Sequence, residues 1–392
     1  MILCDDIMNL ILLLFFGIFM VSVFNIYRNP VLLNGHNHCG YESNRIIIFP
    51  LLLLVFCIFV SISSFQYIDI SPSAKWINMN NNDMSRYKMG FDSMGRMSIR
   101  EAFVSQAQEP LYVLSVFLLR KISPYFSFAL VVFYSFIFLC LTAYLKFFLY
   151  EKSFFFYFLF FTFLYTAVIT SYCLLRMGLA IAWILLAYRY LFENDYKRAL
   201  LFSVIACGFH FSAIFAFSVI IVFRFSERHS FRQVILFSTL LFAICFLFSK
   251  IVQHIIISIF PSKSVYIGGD GGVAKNTYIS NFLFVLLMAL NKKSFYKDRK
   301  SRLAFCILLC SFYIFPLQIV AVIFYRMIFF TYPGIFYIVY LVYKNYGGKK
   351  YMLLNVSVRS FVVFYSLFFL YKFCTTVWLS CGLDRFSLFY IN

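Results

Sequence analysis

CLLRMGLAIAWILLAYRYLFE, residues 173–193, sets a guanidinium, Arg176, against an apolar run long enough to cross a bilayer. A transmembrane helix needs about 20 mainly apolar residues, and 177–193 reads as one span. An unpaired guanidinium at the bilayer centre costs at least ~2.5 kcal/mol. Arg176 therefore either snorkels from the outer end of its span or faces a wet, paired interior. His210, inside another apolar run, and Arg326, between two more, pose the same question. These three ionisable groups are functional candidates, because a simple anchor has no use for them.

Working outward, comparable runs lie at 7–27, 46–65, 124–145, 154–171, 233–249, 277–291, 303–323, 327–343 and 351–371. The chain of 392 residues is 63% hydrophobic, 22% aromatic and only 12% charged, whereas about a quarter of a soluble domain is charged. The reading is an all-α, polytopic integral membrane bundle, a single transmembrane domain over 1–392 with about ten spans. Asp5 and Asp6 precede the first run, so 7–27 reads as a retained span and not as a basic-headed signal peptide. The net charge of +19 is dispersed between apolar runs, which speaks for membrane orientation and against a nucleic-acid partner.

Cytoplasmic loops carry the excess of Lys and Arg. Lys292, Lys293, Lys297, Arg299, Lys300 and Arg302 mark one such loop, and Lys344, Lys349, Arg224, Arg228, Lys197 and Arg198 mark others on the same side. Residues 110–119 are too few to cross and read as a short amphipathic outer helix within an external loop, 66–123. The stretch 199–223 has basic groups at both ends and Gly208 and His210 in its middle. It reads as a re-entrant hairpin, a form tolerated where it lines a cavity. Both termini, the 66–123 loop, 172–176, a second external loop over 250–276, and Tyr325 and Arg326 then face outside, away from the cytoplasm, and a site there has no access to nucleotide substrates.

No cofactor or metal is implied. Cys57, Cys140, Cys173, Cys207, Cys245, Cys306 and Cys310 lie in apolar runs, where cysteine is a small hydrophobe. His36, His38 and Cys39 lack a second ligand cluster, and the glycines around Asp270 are not followed by the Lys-Ser/Thr of a phosphate loop. The external loop is more informative. Asp83 and Tyr87 share a helix face at four-residue spacing, with Arg86 beside them. Such a patch can stack on sugars, accept from hydroxyls and bind phosphate bidentately, or be a solvated interfacial helix. Glu109 before Pro110 is ordinary helix-start chemistry on local grounds. His210 is suited to proton transfer near neutral pH, and equally to a hydrogen-bonded core role.

Taken in order, Asp83-x-x-x-Tyr87, Glu109-Pro-x-Tyr112, Leu175-Arg176-x-x-x-Ala180, Phe209-His210-x-Ser212-Ala213 and Tyr325-Arg326 resemble the EpsG and Wzy group of bacterial O-antigen or capsule repeat-unit polymerases. The resemblance is good over 83–213 and departs at Met177, where the family often has Gln. It implies a GT-C-like enzyme of the inner membrane that joins oligosaccharide repeats carried on undecaprenyl diphosphate, with a chain-length regulator and a flippase as possible partners. It further implies Glu109, Asp83 or His210 as the base, and Arg176, Arg326 and Arg86, with Tyr87 and Tyr112, as sugar or diphosphate contacts. A lipid-linked glycan flippase and a membrane-bound sugar O-acyltransferase remain open as alternatives.

Overall fold

The computed structural model describes residues 83–145 except 107, then 174–249, 275–290, 298–320, 322–346 and 352–372, with a few isolated positions between them. The spans expected at 7–27 and 46–65, most of 154–171, both chain ends, and the loop holding Asp270 lie outside the described residues. Every regular element among the described residues is helical. The chain divides into two compact units, Met1–Ser153 with Val168–Leu179 and Leu370–Asn392, and Phe154–Ala167 with Ala180–Phe369.

In the first unit, α1 (Asp83–Ser93), α2 (Ile99–Gln106), α3 (Pro110–Ile122) and α4 (Phe126–Leu145) follow in close succession. A capping box starts α2: the Ser98 N–H donates to Glu101 at 2.7 Å and the Glu101 N–H to Ser98 Oγ at 3.3 Å. These bonds to Ser98 hold the Glu101 carboxyl below its usual range. Pro110 opens α3, and Arg120 and Lys121 close it against the negative end of the helix dipole. At 13 residues, α3 is about 20 Å long, short of the ~30 Å hydrocarbon core. It packs between α1, α2 and α4, burying Tyr112, Val113 and Val116. Lys121 Nζ donates to the Gly95 and Met97 carbonyls at 3.3 and 3.4 Å, tying the α1–α2 turn to the end of α3. A Cβ on Gly95 would sit 2.7 Å from Arg120 Nη2, the far end of a flexible side chain, so a larger residue there is met by a shift of Arg120.

In the second unit, α10 (Arg299–Val320) is the hub: α7 (Phe215–Ser226), α8 (Phe231–Leu247), α9 (Lys275–Leu290) and α11 (Tyr332–Asn345) all pack on it. Tyr332 through Val342 are all buried, and a helix apolar on every face belongs inside a bundle. A Cβ on Gly334 would lie 2.6 Å from Ile307 Cβ, so the missing side chain is what lets α10 and α11 approach. On α8, by contrast, Leu236, Leu240, Ile244 and Leu247 are exposed at helical spacing, and α12 (Met352–Lys372) exposes Val356, Val363, Phe364, Leu367 and Tyr371. Water does not tolerate such stripes; lipid does. Leu175–Phe192, Arg299–Leu317 and Arg326–Asn345 are long and apolar enough to cross a membrane, and shorter apolar helices accompany them.

The stretch around His210 folds back on itself. Helix α6 (Tyr196–Phe209) starts on Asp195, whose side chain accepts from the Arg198 N–H, and stops at His210, which is extended at φ −157°, ψ 120°. A 3-10 turn, Phe211–Ile214, leads into α7. The two arms are antiparallel, since the Tyr196 ring at the start of α6 meets the Phe223 ring near the end of α7 at 6.4 Å, and the Tyr196 hydroxyl donates to Glu227. With 14 residues, α6 is about 21 Å long.

Two boundaries differ from the sequence reading. Arg176, expected in the connection 172–176, lies in the first turn of α5 (Leu175–Phe192). Arg326 lies within a ten-residue 3-10 run, Val322–Thr331, and the α-helix begins only at Tyr332. Pro333, in the first turn, has no N–H to bond back to the preceding turn, so an α ladder cannot run through it and starts there.

Candidate functional site

Glu109 occupies the N-cap position of α3, yet its side chain makes no capping bond. The carboxylate instead accepts from Arg176 Nη1 at 2.5 Å, across 67 residues of sequence. The two side chains are only 19% and 16% exposed, where an ion pair is far less screened than at the surface. Arg176 Nε also donates to the Tyr87 hydroxyl at 3.4 Å. Its guanidinium carbon lies 5.7 Å from the Tyr87 ring centre and 6.0 Å from that of Tyr112, within cation–π range. The two tyrosine rings are 5.6 Å apart, tilted by 59°, and Tyr112 in turn stacks on Phe133 at 6.3 Å.

The four residues arrive from three helices: Tyr87 from α1, Glu109 and Tyr112 from the N-cap and first turn of α3, Arg176 from the start of α5. All four belong to the first unit. Burial pushes the Tyr112 phenol well above its ordinary pKa, with Tyr87 adding to the shift and Arg176 opposing it. Tyr112 is thus a neutral wall of the site. Arg176 Nη2 makes no hydrogen bond among the described residues, and the guanidinium keeps donors for an incoming anion.

Of the residues singled out from sequence, the structure brings Tyr87, Glu109, Tyr112 and Arg176 together. Asp83 is the first residue of α1, one turn before Tyr87; its side chain lies outside the described residues. Arg86 is exposed beside the buried Tyr87. His210 and Arg326 belong to the second unit, where the 3-10 turn after His210 packs against the 3-10 run that carries Arg326. His210 is buried, and its Nδ1 accepts from the Ser212 N–H at 3.2 Å. With Nδ1 so engaged, the neutral ring carries its proton on Nε2 and offers a donor there, not a lone pair.

Sequence reasoning missed a second cluster, at the open end of the hairpin. Arg299 pairs with Glu227, donates from Nε to the Leu191 carbonyl at 2.9 Å and from Nη2 to Asn194 Oδ1 at 3.1 Å, and lies 5.0 Å over the Phe223 ring. Arg224 joins Glu227 at 3.3 Å and covers the Tyr196 ring at 4.6 Å. The Arg299 guanidinium caps the carbonyl end of α5 and ties it to both hairpin arms. Charge counting marks Arg299 only as one of several loop cations. Asn194, the one described non-glycine residue with positive φ, at 66°, makes the tight α5–α6 turn that delivers these partners.

Among the described residues no cluster of three or more His, Cys, Asp or Glu could hold a metal ion. A family model, that of the EpsG family, matches residues 73–380 of the chain. No curated protein and no solved structure matches it.

Proposed function

The chain belongs to the EpsG family of polysaccharide polymerase-like membrane proteins, and on that premise we propose that it joins lipid-linked oligosaccharide repeats by glycosyl transfer at the periplasmic face of the inner membrane. A hydroxyl of the acceptor repeat attacks the anomeric carbon of the donor chain. The new C–O bond forms as the bond to the undecaprenyl diphosphate breaks, and the electron pair leaves with the phosphate oxygen. A base takes the hydroxyl proton, and a fixed cation holds the charge that develops on the diphosphate.

The observation that carries this reading is the Glu109–Arg176 pair, partly buried beside two tyrosine rings. It puts a carboxylate and a guanidinium within 2.5 Å of each other, the two functions the reaction needs. Tyr87 and Tyr112, expected from the sequence as sugar contacts, are buried and instead pack around the guanidinium and hold it in place. Glu109 is the preferred base: His210 has its Nδ1 lone pair committed to Ser212, and Asp83 remains a candidate on its motif alone. Arg326 is carried as a further diphosphate contact on the resemblance and on the broken helical backbone around it.

The test is polysaccharide size in a deletion strain complemented with variants. Loss of the gene should leave single repeats at the cell surface, and Arg176→Ala and Glu109→Gln should fail to restore long chains. Complete loss of exported repeats would instead identify a flippase. Normal long chains lacking only acyl decoration would identify an acyltransferase.

A further inference from the structure

Building on the reading of Arg176 as a diphosphate contact, we propose that the Glu109–Arg176 ion pair is the resting half of an exchange. The donor diphosphate takes over the guanidinium, and the displaced Glu109 carboxylate becomes the base that activates the acceptor hydroxyl.

The donor inventory of Arg176 carries the argument. A guanidinium presents two forks, Nη1 with Nη2 and Nε with Nη2. Here Nη1 is held by Glu109 at 2.5 Å and Nε by Tyr87 at 3.4 Å, while Nη2 has no hydrogen-bond partner among the described residues. Each fork therefore has one prong taken. A phosphate that binds bidentately, the geometry guanidinium favours, must displace one of the two. Tyr87 offers a neutral hydroxyl through the longer bond, and it can turn to donate to a phosphate oxygen. Glu109 is an anion, and two anions on one cation in a partly dewatered site repel each other. The carboxylate is the group that yields.

Its release changes its chemistry. Beside a cation a carboxylate is a weak base, because the opposite charge favours its ionised form. Freed from Arg176 and set beside a diphosphate, it binds a proton more readily. The acceptor hydroxyl then gives its proton to Glu109 while its oxygen bonds to the anomeric carbon, and the departing diphosphate keeps the electron pair and stays on Arg176. When the lipid diphosphate leaves, Glu109 passes the proton to water and pairs with Arg176 again. The base is thus strengthened only when a donor is in place, so the donor binds first.

The test uses the full chain in nanodiscs of zwitterionic lipid, with farnesyl diphosphate and inorganic pyrophosphate as sugar-free probes. Arg176→Ala should weaken binding of both probes at least about tenfold. Glu109→Gln, which keeps an acceptor for Arg176 but removes the competing charge, should tighten both about five- to tenfold while abolishing chain extension. Glu109→Asp keeps the charge and should not tighten either. Unchanged or weaker binding in Glu109→Gln, with Arg176→Ala still defective, overturns the exchange and leaves the Arg176 reading standing. Tightening in Glu109→Asp, or a gain confined to the prenylated probe, also overturns it. Wild-type binding in Arg176→Ala instead removes Arg176 from diphosphate recognition, and with it the reading on which the exchange rests.

Discussion

At Glu109 two demands compete for one carboxylate. The first turn of α3 offers backbone N–H groups, and Arg176 offers a charged donor at 2.5 Å. Either bond would be charge-assisted, but only Arg176 brings a full opposite charge, in a partly buried site where it is weakly screened, and the ion pair prevails. Local sequence shows only Glu-Pro at a helix start, which is why the capping role looks sufficient there. Two substitutions resolve the neighbouring contacts. Tyr87→Phe keeps the ring under the guanidinium and removes its acceptor, so chain extension should fall about fivefold, equivalent to one net hydrogen bond, when product length is followed over time. Arg176→Lys keeps the charge but loses the planar fork, so activity should fall about a hundredfold; near-normal turnover would mark Arg176 as a snorkelling charge. The positions of Tyr87, Glu109 and Arg176 were legible as motif residues. Their convergence was not, since nothing local to residue 109 encodes a partner 67 positions away.

The hairpin of α6 and α7 shows how an element is held at its two ends. At the tip, the His210 ring caps the 3-10 turn through Ser212. Asparagine is a strong cap, so His210→Asn should retain both fold and activity, whereas His210→Ala should lower stability by about 1 kcal/mol in thermal unfolding. An inactive but stable His210→Asn protein would return proton transfer to this histidine. At the open end, Glu227 accepts from Tyr196, Arg224 and Arg299. Glu227→Gln leaves a partly buried guanidinium without its counter-charge and should cost about 2 kcal/mol, read as a lower unfolding midpoint. Between α10 and α11, Gly334→Ala forces a methyl to 2.6 Å from Ile307 Cβ and should destabilise by about 1–3 kcal/mol. Gly208 and the basic flanks announce a break near His210, but they do not announce Arg299: six cations in that loop are alike in a charge count, and only position decides which one finds Glu227.

For the whole molecule, the threading proposed from Lys and Arg asymmetry makes a direct prediction. In a background freed of the native cysteines, Phe295→Cys should react with a reagent confined to the cytoplasm and Asp270→Cys with one applied from outside; the reverse pattern inverts the orientation. The sequence by itself determined that this is a helical membrane chain. In lipid each backbone polar group needs an internal partner, so long apolar runs become helices, and their lengths set helix ends to within a few residues: 233–249 was expected where Phe231–Leu247 is found. Tertiary structure alone decided that Glu109 abandons its helix for Arg176, that Tyr87 and Tyr112 close around the guanidinium, and that Arg299 binds the hairpin to the end of α5. Helix formation depends on residues three and four apart, which a sequence displays directly. Pairing of charges depends on which helices pack, and that is settled by shape and burial across the whole fold.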